Sequence, residues 1–236
     1  MATIVEKFFD DKAALTDELS QSLEHALRDG IERDGRAVLM VSGGSSPEPA
    51  YKHLSTLDLN WANIDVAMVD ERWVEASHEK SNEAFIKRTL LQNHGAAANF
   101  ISMKNTAVTA EQGVDACEAQ FQALKRPFDV TILGMGPDGH TASLFPHAQG
   151  LKNGLDSSQL VCAINAIQSD VTGSITERMS LTLNAIAQSK VVKLLISGDE
   201  KLAVYKQALA GGDVNDMPLR AVLNHPEINI EVYWAP

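Results

Sequence analysis

Apolar residues recur along this chain with two periods. Six short runs are wholly or mostly apolar, at positions 37–41, 65–69, 128–133, 160–164, 191–196 and 228–234. Such runs, rich in Val, Ile and Leu, suit strands buried on both faces of a parallel sheet. Between them the apolar positions fall at helical spacing. Over 12–31, Leu15, Leu19, Leu23, Ala26 and Leu27 form one stripe; 81–92 aligns Ala84, Phe85 and Leu91, and 109–124 aligns Val114, Cys117, Phe121 and Leu124. Thr109-x-x-Gln112, Ser197-x-x-Glu200 and Ser45-x-x-Glu48, the last with Pro47 in its first turn, read as capping boxes that open helices. Strand alternating with helix predicts an α/β fold, a doubly wound, mostly parallel sheet flanked by helices. No repeat or long Pro/Gly/Ser linker interrupts the pattern, so residues 1–236 are expected to form a single domain, with 150–158 a surface loop.

Composition narrows the classes of partner. Lys and Arg number 20 against 31 Asp and Glu, a formal charge of −11. With no Lys/Arg-rich run, that balance argues against a nucleic-acid partner. The apolar runs fall far short of the roughly 20 residues needed to cross a bilayer, and the first ten residues lack the basic-then-apolar order of a signal peptide. A cytoplasmic location without a membrane partner is expected. Cys117 and Cys162 stand far apart in no CxxC pattern and are expected to be buried core thiols.

In open α/β sheets ligands bind beyond the carboxyl ends of the strands, so the chemistry is sought directly after each apolar run. After 37–41 comes Ser42-Gly43-Gly44-Ser45-Ser46-Pro47, where glycines admit close backbone approach and serines open a helix whose free N–H groups attract anions; a tight strand-to-helix turn would use the same residues. After 65–69 comes Asp70-Glu71-Arg72-Trp73, with Arg72 a fork for an oxyanion or phosphate, held by Asp70 or Glu71. After 128–133 comes the densest signal, Gly134-Met135-Gly136-Pro137-Asp138-Gly139-His140-Thr141-Ala142-Ser143-Leu144-Phe145-Pro146. A histidine delivered there by a glycine-rich loop suits proton transfer near neutral pH, and Thr141 and Ser143 are expected to cap a following short helix. After 191–196 comes Ser197-Gly198-Asp199-Glu200-Lys201, with a lysine in a helical first turn, where the helix dipole disfavours it unless an anion lies nearby. Arg178 is a further candidate cation. The chain has no Walker A loop, GxGxxG fingerprint, HExxH pair or GxSxG elbow, and His140 and His147 are separated by Pro146; neither a metal nor another cofactor is expected.

Taken together these segments resemble the 6-phosphogluconolactonases. The matching pieces are Val41-Ser-Gly-Gly-Ser-Ser-Pro47, Val69-Asp-Glu-Arg-Trp-Val74, Ser81-Asn82-Glu83, Leu133 through Pro146, Arg178-Met-Ser-Leu181 and Ser197-Gly-Asp-Glu-Lys201, in the family's order, with Pro218-Leu-Arg-Ala-Val222 also family-like. The string Gly-Asp-Gly-His-Thr-Ala-Ser-Leu-Phe-Pro carries most of the specificity. The resemblance implies a Rossmann-like fold shared by sugar-phosphate isomerases and lactonases. Glucosamine-6-phosphate deaminases of the wider fold carry a similar loop that continues into Asn-Glu-Pro. Here the continuation is Ser143-Leu144-Phe145-Pro146, without a carboxylate, which favours the lactonase. One departure is that many family members have a Lys-Pro pair shortly before the Arg178 position, whereas this chain reads Ser169-Asp-Val-Thr-Gly-Ser-Ile-Thr-Glu177.

The activity implied is hydrolysis of 6-phospho-D-glucono-1,5-lactone, a small phosphorylated sugar lactone, by a monomer or small homo-oligomer. His140 would serve as general base, oriented by Asp138 or Asp70. Arg72 would meet the oxyanion or the phosphate, and the Gly43-Gly44-Ser45 backbone, Arg178 and Lys201 would complete the anion site. The alternatives are a deaminase or isomerase acting on a sugar phosphate, and a non-catalytic sugar-phosphate sensor.

Overall fold

In the computed structural model, which describes residues Met1–Pro236, strands and helices alternate as the apolar pattern predicts. β1 (Thr3–Phe8) leads into α1 (Lys12–Asp34), β2 (Ala37–Val41) into α2 (Glu48–Ser55), and β3 (Ile64–Met68), through the short β4 (Asp70–Arg72), into α3 (Asn82–Thr89). β5 (Asn99–Ile101), α4 (Ala110–Gln122), β6 (Val130–Gly134), α5 (Leu151–Asp156), β7 (Val161–Asn165) and β8 (Glu177–Leu181) follow. The chain ends with α6 (Leu183–Ala187), β9 (Val192–Ser197), α7 (Gly198–Leu209), α8 (Leu219–Asn224) and β10 (Asn229–Ala235).

Seven strands form one sheet in the order β1-β10-β9-β6-β2-β3-β5, and every pairing in it is parallel. From β2 the chain works outward through β3 to β5. It then returns to lay β6 on the other side of β2 and continues outward through β9 and β10. Strand order therefore reverses between β2 and β6, and the crossovers on either side diverge there. That divergence opens a crevice at the two carboxyl ends, where an α/β sheet places its ligands.

The predicted stripe of α1 buries Leu15, Leu19, Leu23 and Leu27, spaced four apart, and packs against β2. Each such side chain contributes roughly 1.5–3 kcal/mol by leaving water. Asp11 caps this helix by accepting from the Ala14 N–H at 2.8 Å. At the amino ends of the strands, opposite the crevice, the buried Asp129 carboxylate accepts from the Val38 N–H and pairs with Lys125, Lys190 and Arg33. Both cysteines are free and buried, and burial pushes each thiol up to about 12.

Several expectations are corrected. The run at 160–164 is a buried strand, β7, but it joins β4 and β8 in a separate three-stranded antiparallel sheet. Its covering by α4 and α5 makes it as continuously apolar as a strand of the parallel sheet. Residues 150–158 contain a helix, α5, rather than only a loop. Thr109 caps α4 by accepting from the Gln112 N–H at 3.2 Å, but Ser197 makes no capping bond to α7. Nor does Ser45 open a helix, because α2 begins three residues later, behind Pro47. No helix is long and apolar enough to cross a membrane.

Candidate active site

The crevice is a cavity of about 550 Å³. β2 delivers Ser42, Gly43, Gly44 and Ser45 to its wall, and the β3–β4 connection delivers Asp70 and Arg72. Residues Leu133–Gly136, with His140 and Phe145, follow from β6, while β8 adds Arg178 and α7 adds Lys201. Eight of the nine residues singled out from the sequence thus line one cavity; the ninth, Asp138, stands behind His140.

The loop after β6 folds back on itself. The Gly136 N–H donates to the His140 carbonyl at 3.0 Å, and the Gly139 N–H donates to the Gly136 carbonyl at 3.0 Å. This turn brings the Asp138 carboxylate to 2.6 Å from His140 Nδ1, and the same Oδ1 accepts from the His140 backbone N–H at 3.1 Å. With Nδ1–H donating to Asp138, Nε2 carries the lone pair and has no protein partner. Burial pushes the Asp138 carboxyl upward, but its hydrogen bonds from the His140 ring and backbone outweigh this and hold it below the usual carboxylate range. Gly136 is required by this packing, because a Cβ there would lie 2.1 Å from both Nδ1 and Cε1 of His140. Phe145 is the floor of the site: its ring stacks on the imidazole, centroids 4.1 Å apart, and the Arg178 guanidinium lies 5.1 Å from the ring centroid. Thr141 and Ser143 do not cap a helix as expected. Thr141 donates to the Gly134 carbonyl at 2.9 Å, and Ser143 donates to Asp70 Oδ2 at 2.6 Å.

Asp70, the other candidate for orienting His140, makes no bond to the imidazole. Its carboxylate accepts from Ser143 and from Asn82 Nδ2, the latter at 3.1 Å. Arg72 is likewise held differently from expectation. Neither Asp70 nor Glu71 grips its guanidinium, which donates to Asn82 Oδ1 at 2.9 Å and to the Lys80 carbonyl at 3.1 Å. Glu71 acts one step back. Its fully buried carboxylate accepts from the N–H groups of Arg72, Asn82 and Glu83, each at 2.8 Å, and from the Ser81 hydroxyl at 3.0 Å. A single side chain thus ties β4 to the amino end of α3 and fixes Arg72 and Asn82 together. Gly43 must be glycine for the same packing, since a Cβ there would sit 2.2 Å from Asn82 Oδ1.

Three cations line the cavity, Arg72, Arg178 and Lys201, and none of them has a salt-bridge partner. Arg178 is buried and spends two of its donors on the carbonyls of Ile175 and Thr172, at 3.0 and 3.1 Å, while Nη1 lies 3.5 Å from the Ser143 hydroxyl. Burial lowers its pKa, opposed by the nearby Asp70 charge. Burial also lowers that of Lys201. Unpaired cations around one cavity, Arg178 and Lys201 among them desolvated by burial, make a binding field for an anion despite the −11 of the whole chain. Asp170 and Val171, from the stretch preceding Arg178, also line the cavity wall. Sequence reasoning did not single out Asn82 or Phe145 as parts of the site, although Asn82 lay inside a matching segment and Phe145 inside the glycine-rich string; it named Glu71 as a possible holder of the Arg72 guanidinium, not as the anchor of the backbone behind it.

The arrangement offers a positioned proton acceptor, a ring of unpaired cations and glycine-backed N–H groups, which suits addition of water to a carbonyl of a phosphorylated substrate. Residues 10–234 match the family described as glucosamine-6-phosphate isomerases/6-phosphogluconolactonase. The chain is 38% identical over 229 residues to a 6-phosphogluconolactonase of Neisseria meningitidis serogroup B, covering 96% of this chain and 97% of that protein. The crystal structure of a 6-phosphogluconolactonase from Shewanella baltica superposes with a TM-score of 0.93 at 37% identity, over 100% of this chain and 98% of that one. A monomeric glucosamine-6-phosphate deaminase shares the fold, with a TM-score of 0.76 at 20% identity over 99% of this chain and 97% of its own.

Proposed function

Because the chain belongs to the family of glucosamine-6-phosphate isomerases and 6-phosphogluconolactonases, we propose that it hydrolyses 6-phospho-D-glucono-1,5-lactone to 6-phospho-D-gluconate, the lactonase step of the oxidative pentose phosphate pathway. The observation that carries this reading is the Asp138–His140 pair, whose free Nε2 stands in a cavity ringed by unpaired cations.

Water attacks the ring-ester carbonyl carbon while His140 Nε2 takes its proton. The tetrahedral oxyanion is stabilised by a guanidinium, Arg72 being the best placed because Asn82 and Lys80 fix its fork. The imidazolium, steadied by Asp138, then returns the proton to the ring oxygen as the carbon–oxygen bond breaks, and a carboxylic acid is released that ionises. The Gly43-Gly44-Ser45 backbone, Arg178 and Lys201 receive the phosphate. None of these steps calls for a metal or other cofactor. The enzyme works in the cytoplasm on its small-molecule substrate, as a monomer or small homo-oligomer.

The test is hydrolysis of freshly generated lactone by wild type beside His140→Ala. General acid–base help is worth roughly 10²–10⁴ in rate, so the variant should lose kcat on that scale while its circular dichroism is unchanged. Near-wild-type turnover would remove His140 as base. Wild-type protein that ignores the lactone but releases ammonia from glucosamine 6-phosphate would overturn the lactonase reading in favour of a deaminase; binding of sugar phosphates without turnover would favour a sensor.

A further inference from the structure

The turn that holds His140 leans on a distant part of the chain. Gly139, the residue between Asp138 and His140, receives the Leu219 N–H on its carbonyl at 3.0 Å. Its open face is filled by Met217, whose Cγ would lie 2.1 Å from a Cβ at that position. Further along the same loop, the His147 N–H donates to the Asn215 carbonyl at 3.2 Å, and its imidazole meets Asp216 at 2.8 Å. The segment between α7 and α8 is therefore the back wall of the catalytic turn.

That wall is built on one buried cation. Arg220, 7% exposed, has no salt-bridge partner, and its Nε has no hydrogen-bond partner at all. Its one hydrogen bond runs from Nη1 to the Asp213 carbonyl at 2.8 Å, while the Gly212 backbone packs flat on the guanidinium, where a Cβ would come within 2.7 Å. Keeping Nε buried without a partner is costly, and the Asp213 carboxylate, near enough to feel the guanidinium's charge, makes no ion pair with it. A hydrophobic side chain would fill the space without that cost, but it could not hold a carbonyl in place.

We propose that Arg220 is a positioning residue for the catalytic pair: by clamping Gly212 and Asp213 it sets Met217 and Leu219 against Gly139, and so keeps Asp138 on Nδ1 of His140. The inference rests on His140 being the base. A displacement of about 1 Å at a reacting group can cost on the order of 10² in rate. Arg220→Met should therefore lower kcat by roughly 10- to 100-fold with little change in KM, since no phosphate-binding group touches this wall.

A loss of general stability would multiply with any other lesion, so the decisive measurement is a double-mutant cycle with Asp138→Asn. If Arg220 acts through that carboxylate, Arg220→Met adds little to the loss already caused by Asp138→Asn. Fully multiplicative losses, or an unchanged kcat in Arg220→Met, overturn the proposal. Nitrogen-15 spectra of the His140 ring give a readout that needs no turnover. The Nδ1–H tautomer should dominate in wild type and be diluted in Arg220→Met, so a failure of this proposal is separable from a failure of the lactonase reading. Should Arg220→Met not fold, Met217→Ala removes the contact on Gly139 directly and must show the same cycle and the same ring spectra; a wild-type tautomer there likewise overturns the proposal.

Discussion

On the phosphate-binding role proposed for it, Lys201 keeps a single charge for binding at some cost to folding. Its ammonium is desolvated by burial and has no carboxylate partner, so its folded pKa lies below the ordinary 10.5. Above that lowered pKa the unfolded chain binds more protons than the folded one. Stability linked to this group therefore rises with pH between the folded pKa and 10.5. In the same window KM should climb, because a neutral amine no longer attracts phosphate. Replacement by methionine is expected to raise KM about tenfold or more, as loss of a charge-assisted bond worth roughly 1.5–3 kcal/mol implies, to leave kcat nearly intact, and to hold or raise the thermal midpoint. Steady-state kinetics with a melting curve checks all three; an unchanged KM would exclude Lys201 from the phosphate site.

At the scale of elements, the link between β4 and α3 is the one most exposed to test. Glu71 supplies both carboxylate oxygens to four donors, three of them backbone. Glu71→Gln turns one acceptor into a donor facing N–H or O–H groups, which should cost about 1–3 kcal/mol. It should also lower kcat/KM, because Arg72 and Asn82 lose their common anchor; urea unfolding and kinetics on one preparation would show whether the two losses travel together. This link also marks where reading the sequence stopped. The residues of the His140 loop were legible because glycine density, a histidine and a strand end coincide in 13 consecutive positions, 134–146. The Glu71 anchor was not, since it joins positions 71 and 81–83 through a tertiary approach that no spacing encodes. The buried central strands were legible from their apolar runs. β1 was missed because Thr3–Phe8 lies at a sheet edge and carries Glu6 and Lys7, half exposed to water. β7 was found but assigned to the wrong sheet, because strands covered on both faces look alike in either setting.

Across the whole molecule the two ends of the parallel sheet do different work. The carboxyl ends hold the cavity, while the amino ends hold the Asp129 cluster, where one buried carboxylate serves three cations and a backbone N–H. Asp129→Asn should therefore lower unfolding free energy by about 1–3 kcal/mol while kcat and KM stay at wild-type values. A urea titration beside an activity assay tests this; altered KM would mean that the ends are coupled through the sheet.

The reversal of strand order between β2 and β6 has a consequence for synthesis of the chain. The cavity draws on residues from Ser42 to Lys201, and β9, which leads into Lys201, must slot between β6 and β10, a strand that follows every cavity residue in sequence. A nascent chain on the ribosome presents the glycine loop, then the histidine, before β9 and β10, whose pairing closes contacts spanning most of the described sequence. The motifs of the cavity thus precede in sequence the strand that completes its frame, and a fragment lacking β9 and β10 would carry those motifs without the assembled cavity.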